Sequence, residues 1–306
     1  MITRSAAVLV LLALSAGASA QDAAPAATTQ TKPLADTSFS LSFGGTWIGE
    51  ADLDDSPGSL GIARAGARLG VGHKLSDTVT LNFGADVDYS VYDFDDASGL
   101  IAGTDDPFDD STIVTLSLGA KFKSGERNTW FVTGLARSAG ESGAEFDETL
   151  TGGGIVGFSH SFSDDLTVGI GVLASSELED EVYVIPVPII RWNINEQWTL
   201  ASGERANVQL TYAPSDRWAF GAEASWDRRR FRLDDEGPLP SGVVEERHVP
   251  VGVFARFSPG PNIELSARVG AHLGSEIKID DENGDRVGKD DLESALYAGF
   301  DVRFRF

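Results

Sequence analysis

Cysteine is absent from the 306 residues, and the chain holds one methionine and four histidines. Without thiols there is no disulfide framework, thiolate metal centre, cysteine nucleophile or lipidated N-terminal cysteine. Basic residues are also short. Lysine and arginine number 24 against 47 acidic residues, for a formal net charge of −23. Nucleic acid is therefore not an expected partner, because phosphate binding needs a basic surface. At 42% hydrophobic residues the chain is still too apolar to be disordered as a whole.

The N-terminus carries an apolar run, AAVLVLLAL at 6–14. It falls well short of the ~20 residues of a membrane-spanning helix. Arg4 precedes it and Ala18, Ser19 and Ala20 follow, the pattern of an export signal over 1–20. Residues 21–36, QDAAPAATTQTKPLAD, read as a flexible periplasmic tail. This leaves 37–306 as one domain.

That domain has no helical period. Apolar residues recur at every second position. In 78–92, Val79, Leu81, Phe83, Ala85, Val87, Tyr89 and Val91 share one face, and Asn82, Gly84, Asp86 and Asp88 the other. The pattern returns at Val114–Phe122, Leu166–Ala174, Trp218–Trp226, Val249–Phe257, Ile263–Leu273 and Leu296–Phe306. Such runs match the ~9–11 residues of a transmembrane strand rather than the ~5–6 of a soluble one. The expected fold is all-β: one antiparallel transmembrane barrel of fourteen strands, or twelve if the short pair 197–202 and 207–213 does not form. Connections alternate between short turns (76–77, SGERN, SDD, NINE, PSD, SPGPN) and longer loops, up to 93–111. Outer-membrane barrels have short periplasmic turns, long external loops and an even strand number.

The chain ends in Tyr297-Ala-Gly-Phe-Asp-Val-Arg-Phe-Arg-Phe306. This resembles the C-terminal signal of bacterial outer-membrane barrels, with Phe300, Val302, Phe304 and Phe306 on one face. The resemblance implies recognition by the barrel-assembly machinery and an outer-membrane location. VYVIPVPIIRWNINEQWTL, with the rest of 150–306, is similar to a family of outer-membrane barrels of unknown function, which supports the fold and implies no activity.

Inward parity falls to Arg64, Arg68, Lys121, Arg191, Arg256, Arg268 and Arg303, and to Asp86, Asp88, Glu223, Glu264 and Asp301. These are the expected lumen residues. They form either salt bridges that stiffen a closed barrel or a charge-selective constriction; composition alone does not say which. Six proposed outer loops carry 31 of the 47 carboxylates. That density makes either a solvated surface or a rim that binds Ca²⁺ or Mg²⁺ against lipid phosphates. Asp281, Asn283 and Asp285 have calcium-loop spacing, but Gly284 and Leu292 break the EF-hand pattern. No defined metal or cofactor site is expected.

On 217–232, Trp218 and Trp226 share the lipid-facing parity, eight residues apart. At ~3.3 Å per residue and a tilt near 40°, they lie about 20 Å apart along the membrane normal, close to the distance between aromatic girdles. Trp226 thus marks the outer interface. Arg228 and Arg230 beyond it, with Arg247 on the partner strand, are candidates for lipopolysaccharide headgroup contact. The alternative is a solvated hairpin whose arginines neutralise Asp234, Asp235, Glu245 and Glu246. Pro186 and Pro188 remove two donors on the same side of one strand, so a bulge or broken ladder is expected there.

His73, His160, His248 and His272 are scattered, and no Gly-x-Ser-x-Gly elbow appears. An enzyme is not expected. The leading expectation is a monomeric channel for small hydrophilic solutes. The other is a closed structural or surface-interaction barrel.

Overall fold

Two-residue periodicity places successive side chains on opposite faces of a strand, and an exposed apolar face is stable in lipid only if no backbone edge is left open. The computed structural model, which describes residues 36–101, 103–179, 182–202 and 207–306, meets that condition by closure. The expected export signal at 1–20, and the tail as far as residue 35, lie outside the described residues. The first eight strands are β1 (Thr37–Asp52), β2 (Ser59–Lys74), β3 (Val79–Asp95), β4 (Asp110–Ser124), β5 (Asn128–Gly140), β6 (Leu150–Ser161), β7 (Leu166–Ser176) and β8 (Val182–Asn193). They are followed by β9 (Trp198–Ser202), β10 (Asn207–Tyr212), β11 (Trp218–Ser225), β12 (Asp227–Arg232), β13 (Val243–Gly260), β14 (Ile263–Asp280), β15 (Arg286–Leu292) and β16 (Ala295–Arg305).

Fourteen of these form the wall. Neighbours pair antiparallel from β1 to β11, then through β13, β14 and β16 back to β1. Phe306 closes the ring by exchanging backbone hydrogen bonds with Phe39, at 2.9 and 3.1 Å. The short pair β9–β10 forms, so the count is fourteen and not twelve. Apolar residues cover the outer face, Phe83, Leu118, Trp130, Ile170, Trp218 and Phe300 among them, all exposed.

Aromatic side chains of the inner face lie over glycines of adjoining strands. A Cβ at Gly157 would strike the Phe131 ring, and one at Gly252 or Gly270 would strike Tyr297. Glycine is required at these positions because an aromatic ring occupies the space of its missing side chain.

The long-loop end departs from a plain barrel. The expected strand 217–232 breaks at Trp226, and β12 turns inward from the wall. It pairs with the upper part of β13, which pairs with the upper part of β14, which pairs with β15. These four segments form a sheet standing in the barrel mouth. Arg232 at one edge pairs with Gly140 of β5, and Leu292 at the other bridges to Leu53 beyond β1.

Candidate functional site

The sheet in the mouth holds its place through two chemically different faces. One carries Phe231, Val244, Ile277 and Ile279, all essentially without solvent exposure. They pack on inward-facing residues at the outer ends of the wall strands, Ile48, Leu60, Ile62, Tyr92, Phe94 and Ile113, and on Leu100, Ile101 and Phe108 of the loop after β3. Phe231 lies 5.7 Å from Tyr92, stacked, and 5.5 Å from Phe108, edge-on. A barrel lumen is ordinarily polar; here its outer end holds a hydrophobic core.

The opposite face is an ion-pair ladder. Arg228 contacts Glu177 at 3.1 Å, pairs with Glu245 and lies 4.5 Å from the Tyr183 ring centre. Arg230 meets Asp280 at 3.8 Å, and Arg232 meets Glu179 at 2.5 Å. Arg247 pairs with Glu245 at 2.5 Å and Glu276 at 3.6 Å. The expected headgroup role of Arg228, Arg230 and Arg247 is corrected here. The side chains of Arg228 and Arg230 are only 11% and 5% exposed, because the chain bends at Trp226 and carries them into the mouth. Trp226 itself stays exposed.

Below the hydrophobic core, a charged layer faces the lumen. Arg64 bonds Glu246 at 2.5 Å and lies 3.6 Å from Asp227, while Tyr92 donates to Glu246. Arg229 bridges Asp88 at 2.5 Å and Asp227 at 3.5 Å. His248 bonds Asp227 at 3.1 Å and stacks on His272 at 4.3 Å. Each carboxylate in this layer has a guanidinium partner, as burial of charge demands.

Beneath that layer opens a cavity of about 860 Å³. All twelve expected lumen residues line it: Arg64, Arg68, Asp86, Asp88, Lys121, Arg191, Glu223, Arg256, Glu264, Arg268, Asp301 and Arg303. Opposite charges meet. Arg68 bonds Asp86 at 2.5 Å, Arg268 pairs with Asp301, and Arg303 and Arg305 approach Glu264 at 3.9 and 3.3 Å. Gln209 links Glu223 at 2.8 Å to Arg256 at 2.7 Å. Eight lining side chains are cationic and six anionic, so the lumen opposes the acidic sign of the whole chain. Lys121, Arg191, Arg256 and Arg303 lie near the short-turn ends of four strands around the ring.

Phe300, Val302, Phe304 and Phe306 lie on the lipid side of the closing strand. Asp281 accepts backbone hydrogen bonds from Asn283 and Asp285 at 2.8 and 2.9 Å, which makes it a turn residue. Among the described residues no group of three metal-ligating side chains converges.

Sequence reasoning missed Tyr92, Phe231, Val244 and Ile277, and took Glu246 for a partner of hairpin arginines in water rather than of Arg64. The available signal was inward parity turning apolar at strand ends, as in Leu60 and Ile62 ahead of Arg64.

Glu276, on the extension of β14 beyond Gly274, supplies a pH test. Burial raises its carboxyl pKa, but hydrogen bonds from Lys278 and Lys289 and their charges outweigh this, leaving it below the ordinary value of 4.5. A carboxyl depressed in the folded state contributes stability above its unfolded pKa and loses it as pH falls through the folded one. Pepsin is therefore expected to cleave the β14–β15 hairpin increasingly as pH drops below that ordinary value. Glu276→Gln should flatten the dependence; an unaltered acid profile in the variant would rule this carboxylate out as the cause.

Closed wall, apolar outer belt and charged lumen define a transmembrane β-barrel with an inserted outer sheet. A family model described as a domain of unknown function, DUF6268, matches residues 109–305, and the chain belongs to that family. No curated protein sequence matches it. Among solved structures it is similar to the COG4313 outer membrane channel from Pseudomonas putida F1, at 10% identity and TM-score 0.46, over 90% of this chain and 97% of that one. It is similar to the P. putida toluene transporter TodX at 12% and 0.42, over 89% and 90%. It is also similar to the KdgM porin at 9% and 0.36, over 87% and 99%.

Proposed function

We propose that this protein is an outer-membrane channel for small hydrophilic solutes, held shut at its outer mouth by the sheet β12–β15. The observation that carries the reading is the charged cavity of about 860 Å³ ending beneath the layer of Arg64, Asp88, Asp227, Arg229 and Glu246. A barrel whose only task was to be solid would have no use for a wet interior of that size. The excess of cationic over anionic side chains along the lumen favours anions over cations of equal size.

We propose three membrane partners beside this reading. The terminal Phe300–Phe306 face is the assembly signal read by the barrel-assembly machinery. Trp226 sits at the outer interface beside lipopolysaccharide. The acidic outer loops hold Ca²⁺ or Mg²⁺ loosely against lipid phosphates.

One observation favours the second reading, a closed structural barrel: the mouth sheet has a folded core of its own around Phe231 and Ile279. Planar-bilayer recording separates the two. Stepwise, anion-preferring conductance under applied voltage is expected of the channel; silence at every voltage would leave the closed barrel.

A further inference from the structure

The arginines of β12 are engaged: Arg228, Arg229, Arg230 and Arg232 each reach a carboxylate. Arg137, which faces inward from β5 beside that strand, differs. Its guanidinium makes one long hydrogen bond, donating from Nη2 to the Arg230 carbonyl at 3.4 Å, and its Nε is buried without a partner. Among the described residues no carboxylate lies within ion-pair distance of it. The two whose charges reach it, Glu177 and Asp227, are committed to Arg228 at 3.1 Å and to Arg229 at 3.5 Å.

Arg137 has hydroxyls on both sides. Strand register sets Thr115 of β4 and Thr151 of β6 directly across from it. Opposed residues on one face of a sheet have Cβ atoms about 5 Å apart, so the three polar ends form a single row across three strands. Among the described residues neither threonine hydroxyl has a hydrogen-bond partner. All three residues keep partial solvent exposure, so the space in front of the row is not filled. A planar guanidinium fork between two hydroxyls, with no acceptor of its own, is a donor set matched to a carboxylate.

Below the row the inner face turns apolar. Leu135, the next inward residue of β5, is partly exposed. Ile155 of β6 pairs with Leu173 of β7, and both pack in the cluster with Phe131 and Val187. Ile155 stands opposite Thr133, four residues from Arg137, which is about 13 Å of strand at ~3.3 Å per residue. An apolar body only a few carbons long reaches from the guanidinium towards this cluster.

We infer that Arg137, Thr115 and Thr151 form a subsite on the inner wall for short organic monocarboxylates. The carboxylate accepts from the guanidinium and the two hydroxyls, and the apolar body lies over Leu135 towards Ile155 and Leu173. Glu177, close by, disfavours a second negative charge on the ligand. The subsite names a solute class for the proposed channel and rests on that reading only for passage through the lumen.

Equilibrium dialysis of radiolabelled hexanoate against amphipol-held protein, with empty amphipol as blank, tests the assignment. Saturable binding at one site per chain is expected. Arg137→Gln should weaken it at least tenfold, and Thr151→Val several-fold. Hexanol, of the same apolar length, should not compete, and inorganic phosphate should compete only at far higher concentration. If Arg137→Gln lacks the heat-modifiable folded form, Arg137→Lys, which keeps the charge and loses the fork, should weaken binding in its place. No saturable binding by the wild type, or wild-type affinity in the folded variants, would overturn the subsite. Competition by hexanol as strong as by unlabelled hexanoate would overturn the anionic head, and equally strong competition by phosphate would overturn the apolar body. Binding by a protein that stays silent in planar bilayers would remove the channel reading and leave the subsite standing.

Discussion

Replacing Phe231 by aspartate is expected to release the sheet from the barrel mouth and raise single-channel conductance several-fold in planar bilayers. Phe231 has no solvent exposure and touches both Tyr92 and Phe108. Truncating a buried phenylalanine alone costs about 3–5 kcal/mol, and a carboxylate there would be buried without a cation. Whole domains are held by only ~5–15 kcal/mol, so a loss of this size is ample to undock one sheet. The wall keeps its own ladder of paired strands, so the barrel itself should survive. Protease cleavage within 233–242 would report the undocked sheet, and Phe231→Ala should give a smaller effect in the same direction. Wild-type conductance and protease resistance in the aspartate variant would show that the sheet is not the closure.

The second large effect concerns assembly. Phe306→Ser should sharply lower the folded, membrane-embedded fraction, read by heat-modifiable gel mobility of membrane preparations. The side chain is 71% exposed on the lipid side, whereas the two bonds that close the ring to Phe39 are made by the backbone. Serine therefore keeps the closure and removes the aromatic that we propose is recognised during insertion. A variant that reaches wild-type levels of the folded form would show that packing and backbone suffice.

Strand positions and lumen composition were legible because period two leaves no ambiguity once one face meets lipid. The wall strands begin and end within a few residues of where alternation starts and stops, and parity alone picks out Arg68, Asp86, Arg268 and Asp301 as inward. Parity failed where the chain left the wall. Arg228 and Arg230 keep the parity of Trp226, and alternation read them as outward. A bend at a single residue, supported by pairing with β13 and by carboxylates from distant loops, reverses their surroundings. Glu177 and Asp280 are remote from Arg228 and Arg230 in the chain, and local pattern carries no information about such meetings. Glu245 was within view as a neutralising partner, but for a hairpin in water. The prolines of β8 announced a bulge or broken ladder; the register with β7 runs through both unbroken, and among the described residues β8 pairs with β9 only at Arg191–Asn193.

The mouth sheet also acts mechanically, as a tie-beam. It springs from β11, β13 and β14 and is anchored to β5 through Arg232 and Gly140. At its other edge the Asp54 N–H bonds Asp291 and the Glu293 N–H bonds Asp52, both at 2.9 Å, which anchors it beside β1. The arc from β1 to β5 is thereby braced against flattening. Among the described residues the arc from β6 to β10 shows no such backbone ties and is held to the beam by side-chain contacts such as Arg228–Glu177 and Arg232–Glu179. Sideways pressure from the bilayer will therefore deform the barrel unevenly. The compliance falls on the arc that contains β8 and β9, so membrane thickness and tension act on that side of the protein first.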